Sequence, residues 1–329
     1  MKTRILNLNN SAYENGRVSG SYFFQQVKKE DIQSYINLMN KDKCKSLLDK
    51  LQREYPRYYE EVKGKADGLC LDVLEYFTCL CPEINNYSVE HCTSMIGKKD
   101  NGHFVLSHNE DDIYIDGNFC LSKVWFDDER WFMTNDMLNM PFGNGFSWNS
   151  YGIVKTINYC HDENVNVDAL SRYFLQRHIS EACSLEDVIQ RCKEMKVASG
   201  FHVIALDIHK QEAISIEVYS DGMSILPIET VYVHTNHYLH NQRDEDPKVD
   251  EGSNSVFRLE KAIELLGAEY TKEVFKGILD YHSGDNQISV FQNKTTENIT
   301  LANLTLDSED GFKLYVSNYV DDELLKFVE

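Results

Sequence analysis

Proline is scarce, with five in 329 residues, and no Pro-rich linker, low-complexity tract or internal repeat divides the chain. Positive charge is the minority: 33 Lys and Arg stand against 53 Asp and Glu, a net charge of −20. That balance argues against nucleic acid and anionic membrane as partners, because phosphate binding relies on excess Lys and Arg. It also weighs against a polyanionic acyl-CoA, and no Gly-rich loop is present to cradle phosphate. No run approaches the roughly 20 apolar residues of a membrane span. The opening Met1-Lys2-Thr3-Arg4-Ile5-Leu6-Asn7 lacks the apolar core of a signal peptide, so a cytoplasmic protein is expected. Nine cysteines without a secretory signal read as free thiols rather than a disulfide framework. Zinc spacings are missing too. Cys79-x-Cys81 with His91 and Cys92, or His234-x2-His237, fit neither C-x2-C nor H-x3-5-H, so no metal and no cofactor are expected.

What is present is ordinary globular material, 42% hydrophobic and 26% charged. Residues 4–8 suit an edge strand. Tyr13-Glu14-Asn15-Gly16 and Gly20 read as a Gly-punctuated turn. From Lys28 to about Leu80 the apolar spacing is helical, with Ile32, Tyr35, Ile36 and Met39 on one face; residues 82–90 read as a loop. Short strands follow at Thr93–Ile96, His103–Ser107 and Asp112–Ile115, then an aromatic stretch Trp125–Met133 and the apolar Ile153–Ile157. A helical block spans about Val167–Met195, with Ser184 and Asp187 in a capping-box pattern. Strands are expected at His202–Asp207, Ala213–Val218 and Ser224–Val233, helices at about Asn254–Leu266 and Thr271–Leu279, and final strands at Gln287–Phe291, Asn298–Leu306 and Phe312–Val320. This order predicts one α+β domain over residues 1–329: a four-layer α/β/β/α sandwich of antiparallel sheets rather than a doubly wound parallel sheet.

The informative residue is Cys92, in His91-Cys92-Thr93-Ser94 at a strand entrance. A polar cluster, His108-Asn109-Glu110-Asp111-Asp112, follows the apolar Phe104-Val105-Leu106. A Cys at a strand entrance with Asn and Asp at the end of the next strand suits a thiol nucleophile that becomes a new N-terminus. The freed α-amine, with a pKa of about 8 in model peptides, suits a general base at neutral pH.

Several strings taken in order resemble the acyl-CoA:6-aminopenicillanate acyltransferase/carcinine-hydrolase-like family, the C45 peptidase group of N-terminal-nucleophile hydrolases. They are Tyr13-Glu14-x-Gly16-x3-Gly20, Cys92-Thr93-Ser94, Asn109-x-Asp111, Asn149-Ser150-x-Gly152-Ile153, Arg177, Thr235-Asn236-His237-Tyr238, Ser255-x2-Arg258 and Asp280-x-His282. His91 departs from the Gly that many relatives carry before the nucleophile. The resemblance implies an Ntn-hydrolase fold and self-cleavage between His91 and Cys92, giving chains 1–91 and 92–329. It implies a Cys92 nucleophile, Asp111 holding the Cys92 ammonium (Asp112 if the register slips by one), Asn236 donating to the oxyanion and Arg258 stabilising the thiolate. Asn149, Asn109 and Trp148 are candidate oxyanion or substrate contacts. Glu14 and Arg177 are expected as a buried charge pair. The aromatic group Trp125, Phe126, Trp131, Phe132, Phe142, Phe146 and Trp148 is expected either to line an acyl pocket or to fill the core.

The implied activity is amide hydrolysis through an acyl-thioester on a small-molecule substrate, with acyl transfer to an amine as the alternative. The contrasting reading is an uncleaved, inactive binding or scaffold member. A papain-like internal Cys/His pair is a further alternative that needs no cut. The substrate and any homo-oligomeric state are not specified by these strings.

Overall fold

The computed structural model describes residues 4–37, 41–85, 92–162, 164–240, 249, 253–292, 298–311, 313–319 and 323–328. Strand β1 (Ile5–Leu8) precedes five helices: α1 (Ala12–Gln26), α2 (Lys29–Asn37), α3 (Lys41–Glu54), α4 (Pro56–Gly68) and α5 (Val73–Cys79). Six strands follow: β2 (Thr93–Lys98), β3 (Phe104–Ile113), β4 (Cys120–Trp125), β5 (Trp131–Asp136), β6 (Phe146–Asn149) and β7 (Ile153–Tyr159). Helices α6 (Arg172–Ile179) and α7 (Leu185–Glu194) lead to β8 (Phe201–Asp207), β9 (Glu212–Tyr219), β10 (Gly222–Pro227) and β11 (Val231–His234). The chain closes with α8 (Ser255–Leu265), α9 (Lys272–Leu279), β12 (Asn298–Asp307), β13 (Lys313–Asn318) and β14 (Glu323–Val328).

The strands form two sheets. One has eight strands in the order β1-β4-β5-β6-β7-β8-β9-β10, the other six in the order β11-β2-β3-β12-β13-β14. Three hydrophobic cores separate the layers. Phe23, Val62, Phe77, Phe174 and Val188 of the helices pack on Phe132, Ile157 and Val203 of the larger sheet. The opposite face of that sheet, with Met133, Phe146, Trp148 and Ile204, meets Ile96, Leu106 and Leu304 of the smaller one. The far face of the smaller sheet, with Met95, Val105 and Val233, is covered by Ala262, Phe275 and Leu279 of α8 and α9. Central strands such as β2, β3 and β5 feed two cores because successive side chains point to opposite faces. The sandwich of two antiparallel-rich sheets between helical layers is the arrangement expected from the sequence, with one exception: β1 pairs with β4 in parallel.

Four local expectations are corrected. Residues 12–26 form a helix, not a turn. Gly16 and Gly20 face Gly64 and Gly68 of α4, and a Cβ on Gly16 would lie 2.1 Å from the Glu61 carbonyl oxygen. These glycines serve close backbone approach of two helices rather than a bend, and Ser11 caps the helix by accepting from the Glu14 amide. The two strands expected at His103–Ser107 and Asp112–Ile115 are one, β3, with the polar run 108–112 inside it. The strand runs on to Ile113 because residues 108–113 pair along β12 from Leu304 to Asn298. Ser224–Val233 divides between β10 and β11, which belong to different sheets. Gln287–Phe291 is not a strand: residues Asn286–Ile288 form a 3-10 turn, and the amides of Val290 and Phe291 both donate to the Tyr281 carbonyl.

The expected Glu14–Arg177 pair is also corrected. Arg177 is fully buried and makes a bidentate contact with Glu61, Nε to Oε2 at 2.9 Å and Nη2 to Oε1 at 2.7 Å. Glu14 instead pairs with Arg17 on the exposed side of α1. The six aromatic residues from Trp125 to Phe146 and Trp148 lie in or against the two cores of the larger sheet.

Candidate active site

Cys92 immediately precedes β2, the second strand of the smaller sheet, and is 2% exposed. The β2–β3 pairing sets Thr93 opposite Asn109; continued by one residue, it sets Cys92 level with Glu110. Strand alternation then sorts the neighbourhood into two faces. Thr93 and Met95, with Val105, Ser107, Asn109 and Asp111, face the α8–α9 layer. Ser94 and Ile96, with Leu106, His108 and Glu110, face the gap between the sheets.

On the helical face, Arg258 gathers the strings separated in sequence. Its side chain is fully buried. Nη1 donates to the Cys92 carbonyl and to Thr93 Oγ1, each at 2.8 Å. Nη2 donates to Asn236 Oδ1 at 2.6 Å and Nε to Asn254 Oδ1 at 2.7 Å. Asn236 Nδ2 donates to the Tyr159 carbonyl at 3.0 Å, which among the described residues leaves its second amide hydrogen uncommitted. One turn before Arg258, Ser255 Oγ accepts from the Asn236 amide at 2.7 Å and contacts His237 Nδ1 at 2.8 Å. Thr235-Asn236-His237 at the end of β11 and Ser255-x2-Arg258 at the start of α8 are therefore one interlocked unit.

Asp111 lies on the same face, wholly buried, with Thr300 of β12 across from it. Thr300 stands close enough to favour the charged form, yet among the described residues no donor meets either Asp111 oxygen with hydrogen-bond geometry. Burial pushes its carboxyl up to about 7, with the Arg258 guanidinium acting in the opposite direction. Burial likewise lowers Arg258, against the pull of Asp111 and Cys92. Asn109 is committed to packing: Nδ2 donates to the Leu279 carbonyl and Oδ1 accepts from Asn303.

On the inter-sheet face, donor atoms of Cys92, His108 and Glu110 all lie within 4.8 Å of one another. His108 Nε2 is 3.0 Å from Glu110 Oε2, and burial drives the imidazole down to about 3. From His108 a polar seam crosses to the larger sheet. Nδ1 meets Ser94 Oγ at 2.8 Å, Ser94 donates to Asn158 Oδ1 at 2.7 Å, and His202 Nδ1 lies 3.2 Å from the same oxygen. His202 Nε2 then meets Ser215 Oγ, which meets His240 Nε2, each at 2.8 Å. Gly145 of the larger-sheet side, at φ +66°, closes over Glu110. A Cβ there would lie 2.2 Å from Glu110 Oε2 and 2.7 Å from Asn135 Nδ2.

Two sequence candidates are placed elsewhere. Asn149 closes the β6–β7 turn: Nδ2 donates to the Ser180 and Ala182 carbonyls, and Oδ1 accepts from the Tyr151 and Ile153 amides. All its hydrogen-bonding capacity is spent, so it has no donor left for an oxyanion. Trp148 is 1% exposed in the inter-sheet core against Phe327. His91 lies outside the described residues. A cavity of about 540 Å³ beside α9, β13 and β14 is lined by Lys272, Lys276, Tyr315 and Tyr319; Cys92, Asp111, Asn236 and Arg258 do not line it. His108, Glu110 and Ser94 were not picked out from the sequence as partners of Cys92. Their signal was the period-two alternation continued through 108–112, hidden because both faces carry polar residues.

A family model described as acyl-coenzyme A:6-aminopenicillanic acid acyl-transferase matches residues 97–318. The chain belongs to this family. Membership implies an acyltransferase or hydrolase acting on a small molecule. The matched span contains Asp111, Asn236 and Arg258 and begins beyond Cys92. No curated protein matches the chain. Among the described residues, no helix of this acyltransferase-family chain is long and apolar enough to cross a membrane.

Proposed function

We propose that the chain is a self-processing N-terminal cysteine amidohydrolase with an Ntn-hydrolase fold. The Cys92 sulfur adds to the His91 carbonyl, the C–N bond to Cys92 breaks, and the α-nitrogen takes up the thiol proton. Water then hydrolyses the His91 thioester, leaving a carboxyl on His91 and a free thiol and amine on Cys92. In the mature enzyme the amine is the base for its own thiol. The thiolate attacks a linear amide, the amine protonates the leaving nitrogen, and water resolves the acyl-thioester. Asn236 supplies its uncommitted amide hydrogen to the oxyanion; deleting such a donor costs about 3–4 kcal/mol of transition-state stabilisation. Arg258 holds Asn236 and the Cys92 carbonyl in one frame.

The observation that carries this reading is Asp111. A buried carboxylate without a well-formed hydrogen bond is costly, and among the described residues Asp111 has that character. It lies one residue from the level of Cys92 on the neighbouring strand. A new ammonium at Cys92 would give it a charged partner.

The test is intact-mass spectrometry of freshly purified wild type beside Cys92→Ala. Fragments 1–91 and 92–329 in the wild type and an intact variant are expected. An unbroken chain in both overturns self-processing and favours the binding or scaffold reading. The family description supports acyl transfer as the second reading of the same acyl-enzyme. The surplus of negative charge favours water over a polyanionic acyl-CoA partner. Product analysis with and without an amine acceptor separates the two.

A further inference from the structure

The hydrogen-bond pattern around His108 has a definite polarity. Asn158 Nδ2 faces the His234 carbonyl at 3.5 Å, which fixes Oδ1 as the atom facing Ser94. Ser94 therefore spends its single proton on Asn158 Oδ1 at 2.7 Å, and its lone pair receives the Nδ1–H of His108 at 2.8 Å. With Nδ1 committed to Ser94, the other ring nitrogen, Nε2, faces Glu110 Oε2 at 3.0 Å. A proton or a metal ion between these two atoms satisfies both. The Cys92 sulfur completes a trio of donor atoms within 4.8 Å, all three residues buried.

We propose that Cys92, His108 and Glu110 form a binding site for one divalent ion of the zinc class. Thiolate, imidazole and carboxylate are the donors such ions take, and three protein ligands leave one position open. The ligand charges balance: thiolate and carboxylate neutralise a divalent cation. The outer partners match a metal site as well. Ser94 fixes the tautomer and orientation of His108. Among the described residues the buried Asn135 Nδ2 group has no hydrogen-bond partner, and it and Glu110 Oε2 both lie under Gly145. Binding forms a sulfur–metal bond and releases the thiol proton to solvent. The sulfur is then withheld from attack, so the ion silences the thiol reversibly; this consequence rests on Cys92 being the nucleophile, whereas binding does not.

The experiment is a Co²⁺ titration of the purified full-length chain, read by near-ultraviolet thiolate-to-cobalt charge transfer and followed by Zn²⁺ displacement. One equivalent of Co²⁺ giving the band is expected. The band should disappear in Cys92→Ser, and affinity should fall at least about tenfold in Glu110→Gln, with circular dichroism confirming that both variants are folded. No band in the wild type, or a band retained in Cys92→Ser, overturns the site and leaves a shared proton between His108 and Glu110. Spectroscopy and mass separate the two proposals. A chain that stays uncut but shows the band keeps the metal site and loses self-processing; a chain that cuts itself without the band does the reverse.

Discussion

Asp111 makes the uncut chain sensitive to pH. Its carboxyl is pushed up to about 7 when folded and returns to an ordinary value of about 3.9 when unfolded. Between these values the folded chain binds more protons than the unfolded one, so stability falls as pH rises from about 4 through 7, by at most about 1.4 kcal/mol per pH step. Thermal melts of Cys92→Ala across that window should show the decline, and Asp111→Asn in the same background should flatten it. Arg258→Ala should destabilise by about 3–5 kcal/mol in urea unfolding, because it leaves the Cys92 carbonyl, Thr93, Asn236 and Asn254 oxygens buried without their shared donor. The strings around Cys92, Asn236 and Arg258 were legible because each is a short local pattern. Their convergence on one guanidinium was not, since Asn254, Thr93 and the Cys92 carbonyl carry no motif. Glu110 escaped notice for a different reason: in a strand polar on both faces, hydrophobic alternation gives no clue to which carboxylate joins the thiol.

At the scale of elements, the contact between α1 and α4 is backbone against backbone. A Cβ on Gly64 would lie 1.9 Å from the Tyr13 carbonyl oxygen, and that atom cannot swing aside as a side-chain tip would. Gly64→Ala should therefore lose at least about 1–3 kcal/mol. Gly277→Ala, in α9 with nothing within 4 Å of its added carbon, should gain about 0.5–1 kcal/mol from helix propensity. Opposite shifts in melting temperature check both. The same glycines explain why α1 reads as a turn in the sequence: spacing that serves a close helix crossing looks like chain punctuation until the opposing helix is known. Ser184 was legible for the converse reason, since its cap is local; its hydroxyl accepts from the Asp187 amide.

For the molecule as a whole, the alternation of helical and strand blocks made the layers legible. The assignment of strands to sheets was not, because β10 and β11 are adjacent in sequence and part ways in space. Residues 1–91 contribute β1 and α1–α5, whose side chains fill the core over the larger sheet. After a cut before Cys92 the two pieces should co-elute in size exclusion and part only in denaturant; separation in native buffer would contradict the shared core. The seam from His108 through Ser94, Asn158, His202 and Ser215 to His240 acts at this scale too. Oily surfaces can slide past one another at little cost, but a chain of directed bonds joining two walls cannot. The seam works as a dowel between two boards: the offset of the sheets, and with it the span from the thiol to the facing wall, is set by bond lengths rather than by how bulky the filling happens to be.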